Sequence, residues 1–152
     1  MKHNNHKVLA LGVFDLFHVG HLNFLNFARE QGDKLLVGVA PDAMCLKSKG
    51  KLPIIEQTQR MAIIQALAIV DEVTLVQSPI IETDNVFNWM LSLDIATVVS
   101  GIQWQNSERW NKLIPLLANH NINVAFAPET PNISSSLIKH KISQQYCREK
   151  SI

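Results

Sequence analysis

The stretch Val8-Leu9-Ala10-Leu11-Gly12-Val13-Phe14-Asp15-Leu16-Phe17-His18-Val19-Gly20-His21 decides the fold that we expect for this chain. Its apolar start predicts a buried strand, and the segment that follows, with Leu22, Leu25 and Ala28 on one face, predicts an amphipathic helix. The turn between them ends at a helix N-terminus, where free backbone N–H groups and a partial positive charge attract phosphates. The stretch therefore predicts an anion site directly after the first strand.

Strand-like and helix-like segments alternate along the rest of the chain, separated by loops that contain glycine or proline. We expect strands at 8–13, 34–40, 73–76, 96–99 and 122–127, and helices at 19–31, 57–69, 84–91, 107–119 and 134–145, with a short helix opening at 41–42 and Asp84 as a helix cap. This alternation is typical of an α/β protein with a doubly wound, five-stranded parallel sheet and helices on both faces, a Rossmann-like fold. Ligands of such sheets bind beyond the carboxyl ends of the strands, so we expect the site at the turns after strands one, four and five.

Length and composition indicate a single globular domain, 1–152, with residues 1–6 as a flexible tail. The chain is 47% hydrophobic and 18% charged, and its net charge of +1 gives no reason to expect nucleic acid or a membrane as a partner. There is no long apolar run and no signal-like start, and Cys45 and Cys147 lack the spacing of a metal motif. We therefore expect a cytoplasmic protein with reduced thiols.

His18 and His21 lie three residues apart at the start of the first helix, so both rings should face the same side. Gly20 leaves room for a ligand to approach the backbone. Imidazoles in this position can hydrogen-bond phosphate oxygens and stabilise charge that develops at phosphorus. Two other interpretations stay open: a metal pair, for which no third ligand is close in sequence, and two ordinary surface histidines.

The pattern Gly-x-Phe-Asp-x-x-His-x-Gly-His resembles the signature of the cytidylyltransferase-like nucleotidyltransferases. Members of that family join a nucleoside monophosphate, taken from a nucleoside triphosphate such as CTP or ATP, to a small phosphorylated substrate and release pyrophosphate. The resemblance implies Mg²⁺ bound with the triphosphate, a homodimer, and a bracing role for Asp15. It also implies that the triphosphate is held by Gly12, Gly20, the backbone of Val13 and Phe14, and the catalytic rings of His18 and His21.

The same resemblance gives roles to residues in the later turns. The basic run within the loop 47–55 corresponds to a lysine-containing loop of the family, so Lys47 would act in catalysis and Lys49 would bind phosphate. Arg60, near the start of the next helix, would bind phosphate or brace the site. One serine before the last helix is explained as an N-cap. The remaining candidates for nucleotide binding are Gly101, Trp104, Thr130, Ile133, Ser134, Ser135 and Ser136.

Three positions depart from the pattern of the cytidylyltransferases. Ala68 and Glu129 stand where those enzymes carry arginine, and Gln103 replaces an acidic residue. A glutamate beside a triphosphate repels it. The segments 49–53, 59–61 and 66–71 are more similar to the heptose and flavin adenylyltransferases.

The favoured interpretation is a CTP:glycerol-3-phosphate cytidylyltransferase, or an enzyme for a similar polyol phosphate, because the chain resembles short stand-alone enzymes of that kind in size. The alternative within the family is an adenylyltransferase that uses ATP and either a sugar phosphate or FMN. An alternative of another class is a nucleotide-binding module that has lost turnover, which Gln103 and Glu129 would mark.

Overall fold

A parallel sheet forms the centre of the computed structural model, which describes residues 5–149. Its strands are β1 Lys7–Gly12, β2 Lys34–Val39, β3 Glu72–Leu75, β4 Thr97–Gly101 and β5 Asn123–Ala127. Within the sheet they lie in the order β3-β2-β1-β4-β5. The chain therefore moves outward from β1 to β3 and then crosses back to the other side of β1. The resulting crevice between β1 and β4 is the place where such sheets bind ligands.

Helices cover both faces of the sheet: α1 Val19–Arg29, α2 Asp42–Lys49, α3 Gln57–Gln65, α4 Thr83–Ser92, α5 Glu108–Ala118 and α6 Ser135–Glu149, with a 3₁₀ turn at Ile102–Trp104. Successive residues of β1 point to opposite faces. Val8 and Ala10 pack in the core that contains Ile64 of α3, whereas Leu9 packs with Met90 of α4 and Leu113 of α5. The doubly wound α/β fold expected from the sequence is confirmed.

The basic loop predicted at 47–55 is partly helical. Helix α2 continues through Lys49 and ends at Gly50, whose φ of 71° is a left-handed conformation that glycine adopts without strain. Lys47 and Lys49 therefore lie on a helix, which determines the side from which each side chain projects. The sequence had predicted a loop here.

Several helix boundaries also differ from the predictions: α1 ends at Arg29 and not at residue 31, and α6 continues to Glu149 and not only to residue 145. Helix α3 ends at Gln65 and not at residue 69, because the chain turns so that Leu67 and Val70 enter the core before β3.

Helix α4 starts one residue earlier than predicted, at Thr83, and Glu82 occupies the N-cap without a hydrogen bond from its side chain to the helix backbone. The prediction that Asp84 caps this helix was wrong.

The predicted flexible tail does not extend to His6. Its backbone carbonyl accepts a hydrogen bond from the N–H of Asp33, and its ring Nε2 lies 2.9 Å from Oγ1 of Thr97. These contacts fix His6 at the amino-terminal edge of the sheet, opposite the crevice. Asn5 is exposed, and the remainder of the predicted tail, residues 1–4, lies outside the described residues. Across residues 5–149, no helix is long and apolar enough to cross a membrane.

Candidate active site

A cleft of about 890 Å³ opens beyond the carboxyl ends of β1, β4 and β5. This volume lies in the upper part of the range for small-molecule sites, which run to about 1,000 Å³. Most residues singled out in the sequence line this cleft: Gly12, Val13, Phe14, His18, Gly20, His21, Lys49, Gly101, Trp104, Thr130, Ile133, Ser134, Ser135 and Ser136. Segments more than a hundred residues apart thus meet in one site.

Lys47 and Arg60 are not among the residues that line the cleft. On α2, the positions that line it are 44, 45, 48 and 49, which share one face of the helix, and Lys47 lies off that face. Arg60 is fully buried behind the cleft. Lys47 therefore does not contact the cleft, contrary to the prediction. Of the two roles considered for Arg60, its buried position fits bracing and does not fit phosphate binding.

The turn after β1 holds two residues in left-handed backbone conformations, Phe14 with φ 58° and Leu16 with φ 52°. Such conformations cost a non-glycine residue about 1–2 kcal/mol and persist only where the surroundings enforce them. The ring of Phe14 is buried, with its centroid 5.6 Å from that of His21 in an edge-on arrangement. A Cβ at Gly12 would lie 2.7 Å from the Phe14 ring, so only glycine leaves space for it.

Asp15 braces this turn, as the resemblance implied. Its buried carboxylate accepts hydrogen bonds from the N–H groups of Ile54 and Ile55 at 2.8 and 2.9 Å, and it pairs with Lys139 at 3.6 Å. Burial raises the pKa of Asp15, but the two backbone hydrogen bonds and the Lys139 ammonium outweigh it, so the pKa is lowered overall. Asp15 is therefore a charged anchor between the turn, the loop before α3 and helix α6.

His18 and His21 form a reciprocal cap on α1. Nδ1 of His18 accepts the backbone N–H of Gly20 at 3.0 Å, and Nδ1 of His21 accepts the backbone N–H of His18 at 3.2 Å. A Cβ at Gly20 would lie 2.8 Å from the His18 ring. The space beside Gly20, which we had expected to admit a ligand, is thus filled by the His18 ring.

This cap determines which nitrogen of each ring carries the proton. Because both Nδ1 atoms accept hydrogen bonds, the neutral rings carry their protons on Nε2. The rings stack with centroids 3.8 Å apart. Burial lowers the pKa of His18. The pKa of His21 is lowered to about 4, mainly by burial and also by the neighbouring His18, although Asp15 opposes the shift. At neutral pH the pair therefore presents two uncharged Nε2–H donors, neither of which has a partner among the described residues.

The three serines at the start of α6 have different tasks. Ser134 is the cap, because its Oγ accepts the N–H of Leu137 at 3.0 Å. Ser135 donates its hydroxyl to the carbonyl of Asp15 at 2.6 Å and so ties α6 to the turn after β1. Ser136 is exposed, and its hydroxyl has no partner in the part of the chain that is described. The N-termini of α1 and α6 thus open into the same cleft, and each favours an anion.

Basic side chains outnumber acidic ones along the cleft. Lys49, Lys51, Arg109 and Lys139 line it, against Asp15 and Glu129. The guanidinium of Arg109 lies 4.8 Å from the centroid of the Trp104 ring, a cation–π contact. Lys51 belongs to the basic run noted in the sequence, but no specific role was predicted for it. Arg109 and Lys139 were not predicted, because nothing in the local pattern indicates that they share a site with this run.

The end of the cleft beyond β2 and β3 is largely apolar, with Lys49 and Lys51 on the neighbouring part of the chain. It is lined by Met44, Cys45, Leu52, Pro53, Val76, Pro79 and Ile80. Burial raises the pKa of the Cys45 thiol, although Arg60 and Lys49 counteract part of the shift. A thiol in this state behaves as a small apolar group. This apolar end was not foreseen either, since four separate segments build it.

Among residues 5–149, no group of three His, Cys, Asp or Glu side chains could hold a metal ion. The metal interpretation of His18 and His21 therefore lacks a ligand set in the described residues. The capping bonds through Nδ1 also exclude the interpretation as two independent surface histidines.

Comparison with known proteins finds relatives over part of the chain. The FAD synthases of Thermococcus sibiricus and Thermoplasma volcanium are 45% and 41% identical to the chain over 69 residues. Each match covers 45% of this chain, and it spans about half the length of those relatives, 47% and 48%.

A solved structure covers more of the chain. It is the lipopolysaccharide core biosynthesis protein from Thermoplasma volcanium GSS1, which has 27% sequence identity and a TM-score of 0.64 over 82% of this chain and 96% of its own. Residues 9–141 match the family described as Cytidylyltransferase-like, and this range includes both helix N-termini of the cleft. The chain therefore belongs to the cytidylyltransferase-like family.

Proposed function

We propose that the protein is an adenylyltransferase that transfers AMP from ATP to FMN, forming FAD and releasing pyrophosphate. The observation that carries the proposal is the pair of Nε2–H donors of His18 and His21, which lies in one cleft with the N-terminus of α6. Relatives named FAD synthase support ATP and FMN as the substrates. The comparisons offer no support for CTP and glycerol 3-phosphate, the interpretation favoured from the sequence.

The apolar end of the cleft favours FMN over a polyol phosphate as acceptor. A flat, largely apolar ring system can cover Met44, Leu52 and Ile80 and remove them from water, which is favourable by about 25 cal/mol per Å². Glycerol 3-phosphate has nothing to place there, and its hydroxyl groups would lose hydrogen bonds with water against such a wall.

In the proposed reaction, a phosphate oxygen of FMN attacks the α-phosphorus of ATP. A new P–O bond forms while the bond to the β-phosphate oxygen breaks, and pyrophosphate leaves. No covalent intermediate with the protein is needed, so catalysis rests on positioning and on stabilising charge. The Nε2–H groups of His18 and His21 would donate to phosphate oxygens, and Lys49, Lys51 and Lys139 would neutralise charge.

Within residues 5–149, the side chains that line the cleft do not form a site of their own for Mg²⁺. The carboxylate of Asp15 is occupied by Ile54, Ile55 and Lys139, and Glu129 is the other acidic residue that lines the cleft. Mg²⁺ would therefore arrive as part of the substrate MgATP, coordinated by phosphate oxygens. The homodimer and the cytoplasmic location stay predictions.

The test is a matrix of nucleotides and acceptors. Purified protein would be incubated with MgATP or MgCTP and with FMN, glycerol 3-phosphate or a sugar 1-phosphate, and pyrophosphate and the joined product would be quantified by chromatography. FAD formed from MgATP and FMN alone would support the proposal. Product from MgCTP and glycerol 3-phosphate, or from a sugar phosphate in preference to FMN, would overturn it.

A nucleotide-binding module without turnover is the second candidate, and the position of Glu129 favours it. This exposed carboxylate lines the cleft and pairs with no described cation, so it would repel a triphosphate. Calorimetric binding of MgATP with no pyrophosphate released in the presence of any of the three acceptors would select this candidate.

A further inference from the structure

Arg60 donates to four acceptors on three segments beneath the cleft. Its side chain is fully buried, and its Nε donates to the carbonyl of Ile55 at 2.8 Å. Nη1 donates to the carbonyls of Val13 and Ala40 at 2.7 and 2.9 Å, and Nη2 donates to the carboxylate of Asp42 at 2.6 Å. The rigid fork of a guanidinium suits this arrangement, because a lysine offers one nitrogen in place of three.

The bond to Val13 determines the direction of the next peptide group. No peptide bond in the described chain is cis, so the carbonyl of Val13 and the N–H of Phe14 point in opposite directions across the peptide plane. With the carbonyl held by Arg60, the N–H of Phe14 points away from the guanidinium. This N–H has no hydrogen-bond partner among the described residues, and both Val13 and Phe14 line the cleft.

The backbone conformation of Phe14 is unfavourable unless neighbouring contacts support it. Its φ of 58° is unfavourable for a residue with a side chain, and such a conformation persists only where neighbouring contacts enforce it. The hydrogen bond from Arg60 acts on the peptide group that directly precedes this strained residue. Loss of the bond would allow the Val13–Phe14 peptide to rotate toward a relaxed conformation.

We propose that Arg60 is a positioning residue, which holds the Val13–Phe14 peptide so that the Phe14 N–H remains free to donate to an anion in the cleft. The identification of that anion with the triphosphate of ATP rests on the proposed function. Arg60 itself touches no substrate and acts through the Val13 carbonyl. Helix α2, which carries Lys49, is held by the same guanidinium through Asp42.

The test uses inorganic pyrophosphate, without metal, as the anion. In ¹⁵N-labelled wild-type protein, the amide resonance of Phe14 should move on titration with pyrophosphate. In Arg60→Lys, that resonance should already differ without ligand, and the Kd for pyrophosphate should rise about tenfold or more, as expected for a lost donor to a charged group. A silent Phe14 amide in the wild type, or wild-type affinity in a folded Arg60→Lys, would overturn the proposal.

Ile64→Val is the matched control, because Ile64 is a fully buried residue one helical turn further along α3. It should lower the melting temperature and leave the Phe14 response and the pyrophosphate affinity unchanged, which separates positioning from general stability.

Asp42→Asn serves if Arg60→Lys does not fold, since it weakens the anchor of the guanidinium and leaves Arg60 present. Its Kd for pyrophosphate should rise about threefold, and an unchanged Kd together with an unchanged Phe14 resonance would contradict the proposal.

These readouts are independent of turnover. If pyrophosphate moves the Phe14 amide in the wild type but no FAD forms, then the proposed function fails and the role of Arg60 stands. If FAD forms and the Phe14 amide is silent, the role of Arg60 fails and the proposed function stands.

Discussion

The backbone N–H of Gly20 donates to Nδ1 of His18 at 3.0 Å, and the His18 ring fills the space that a Cβ at position 20 would need. Gly20 and His18 are therefore parts of one cap. Because the cap uses Nδ1 of His18, the Nε2–H group of the same ring remains available on the side of the cleft. Helix capping uses Nδ1 of His18, whereas the proposed anion contact would use Nε2 of the same ring, so the two contributions are separable by mutation.

His18→Asn should separate stability from activity. Asparagine is a strong N-cap, and its side-chain oxygen can replace Nδ1 as acceptor for Gly20, but it has no group in the position of Nε2. We expect a free energy of unfolding near that of the wild type and a loss of turnover of about 10² or more. His18→Ala should lose the turnover and also about 1 kcal/mol of stability. Urea unfolding and pyrophosphate release measure the two effects; an active His18→Asn would contradict the role of the ring.

Gly20→Ala should destabilise the protein, although this change usually stabilises a helix. The new Cβ would lie 2.8 Å from the His18 ring, so the ring must leave its capping position. We expect a loss of about 1 kcal/mol in the free energy of unfolding, comparable to the loss of a cap, and weaker nucleotide binding. Asn26→Ala, at an exposed position of the same helix, is the control and should be neutral or slightly stabilising. A stabilised Gly20→Ala protein would refute the packing argument.

Stability should fall as the pH is lowered from about 6.5 toward 4. The pKa of His21 is about 4 in the folded protein and 6.5 in a model peptide, so between these values the unfolded chain binds more protons. The free energy of unfolding should decrease by less than about 3 kcal/mol over the whole window, because the ring is partly exposed. His18, whose pKa is also lowered, acts in the same direction.

Urea unfolding at pH 7 and pH 5 measures this effect before the carboxylates titrate. His21→Gln is the control, since a glutamine at this position can still accept the N–H of His18 in a capping box but has no ring to protonate. The pH dependence should be reduced in this variant. An identical dependence in both proteins would assign the effect to other groups.

Lys49 and Lys47 offer a test of which face of α2 meets the ligand. They carry the same charge on the same helix, two residues apart, but only Lys49 lines the cleft. Lys49→Ala should weaken MgATP binding about fivefold, whereas Lys47→Ala should change it less than about twofold, as expected for a charge that does not contact the ligand. Isothermal titration calorimetry measures both affinities, and the reverse order would show that the cleft face of α2 is misassigned.

Glu129→Gln should tighten nucleotide binding. Removal of an unpaired negative charge from a cleft that takes a triphosphate is worth up to about 1 kcal/mol, or about fivefold in Kd. Because the effect is electrostatic and exposed to solvent, it should shrink at high ionic strength. Glu108→Gln is the control, because Glu108 pairs with Lys112 outside the cleft. Weaker binding in Glu129→Gln would mean that the carboxylate contacts the nucleotide favourably.

Much of the fold could be predicted from the sequence because its signals are local. The apolar run from Val8 predicts β1, and the spacing of Leu22, Leu25 and Ala28 predicts α1. The importance of His18, Gly20 and His21 was also visible, since the contacts of the cap join residues at most three positions apart. The predictions were wrong for the ends of α3 at Gln65 and of α2 before Gly50, because these ends depend on where the following residues pack.

By itself, the sequence of this protein determined the order of strands and helices and the capped start of α1, because hydrophobic periodicity and capping act within a few residues. The tertiary structure decided which charges share the cleft. It brings Lys139 beside Asp15, places Arg109 over Trp104 and buries Arg60 under Val13. Lys139 and Asp15 are 124 residues apart and Arg60 and Val13 are 47 apart, so these two contacts exist only once the sheet has assembled and the strand ends meet at one edge.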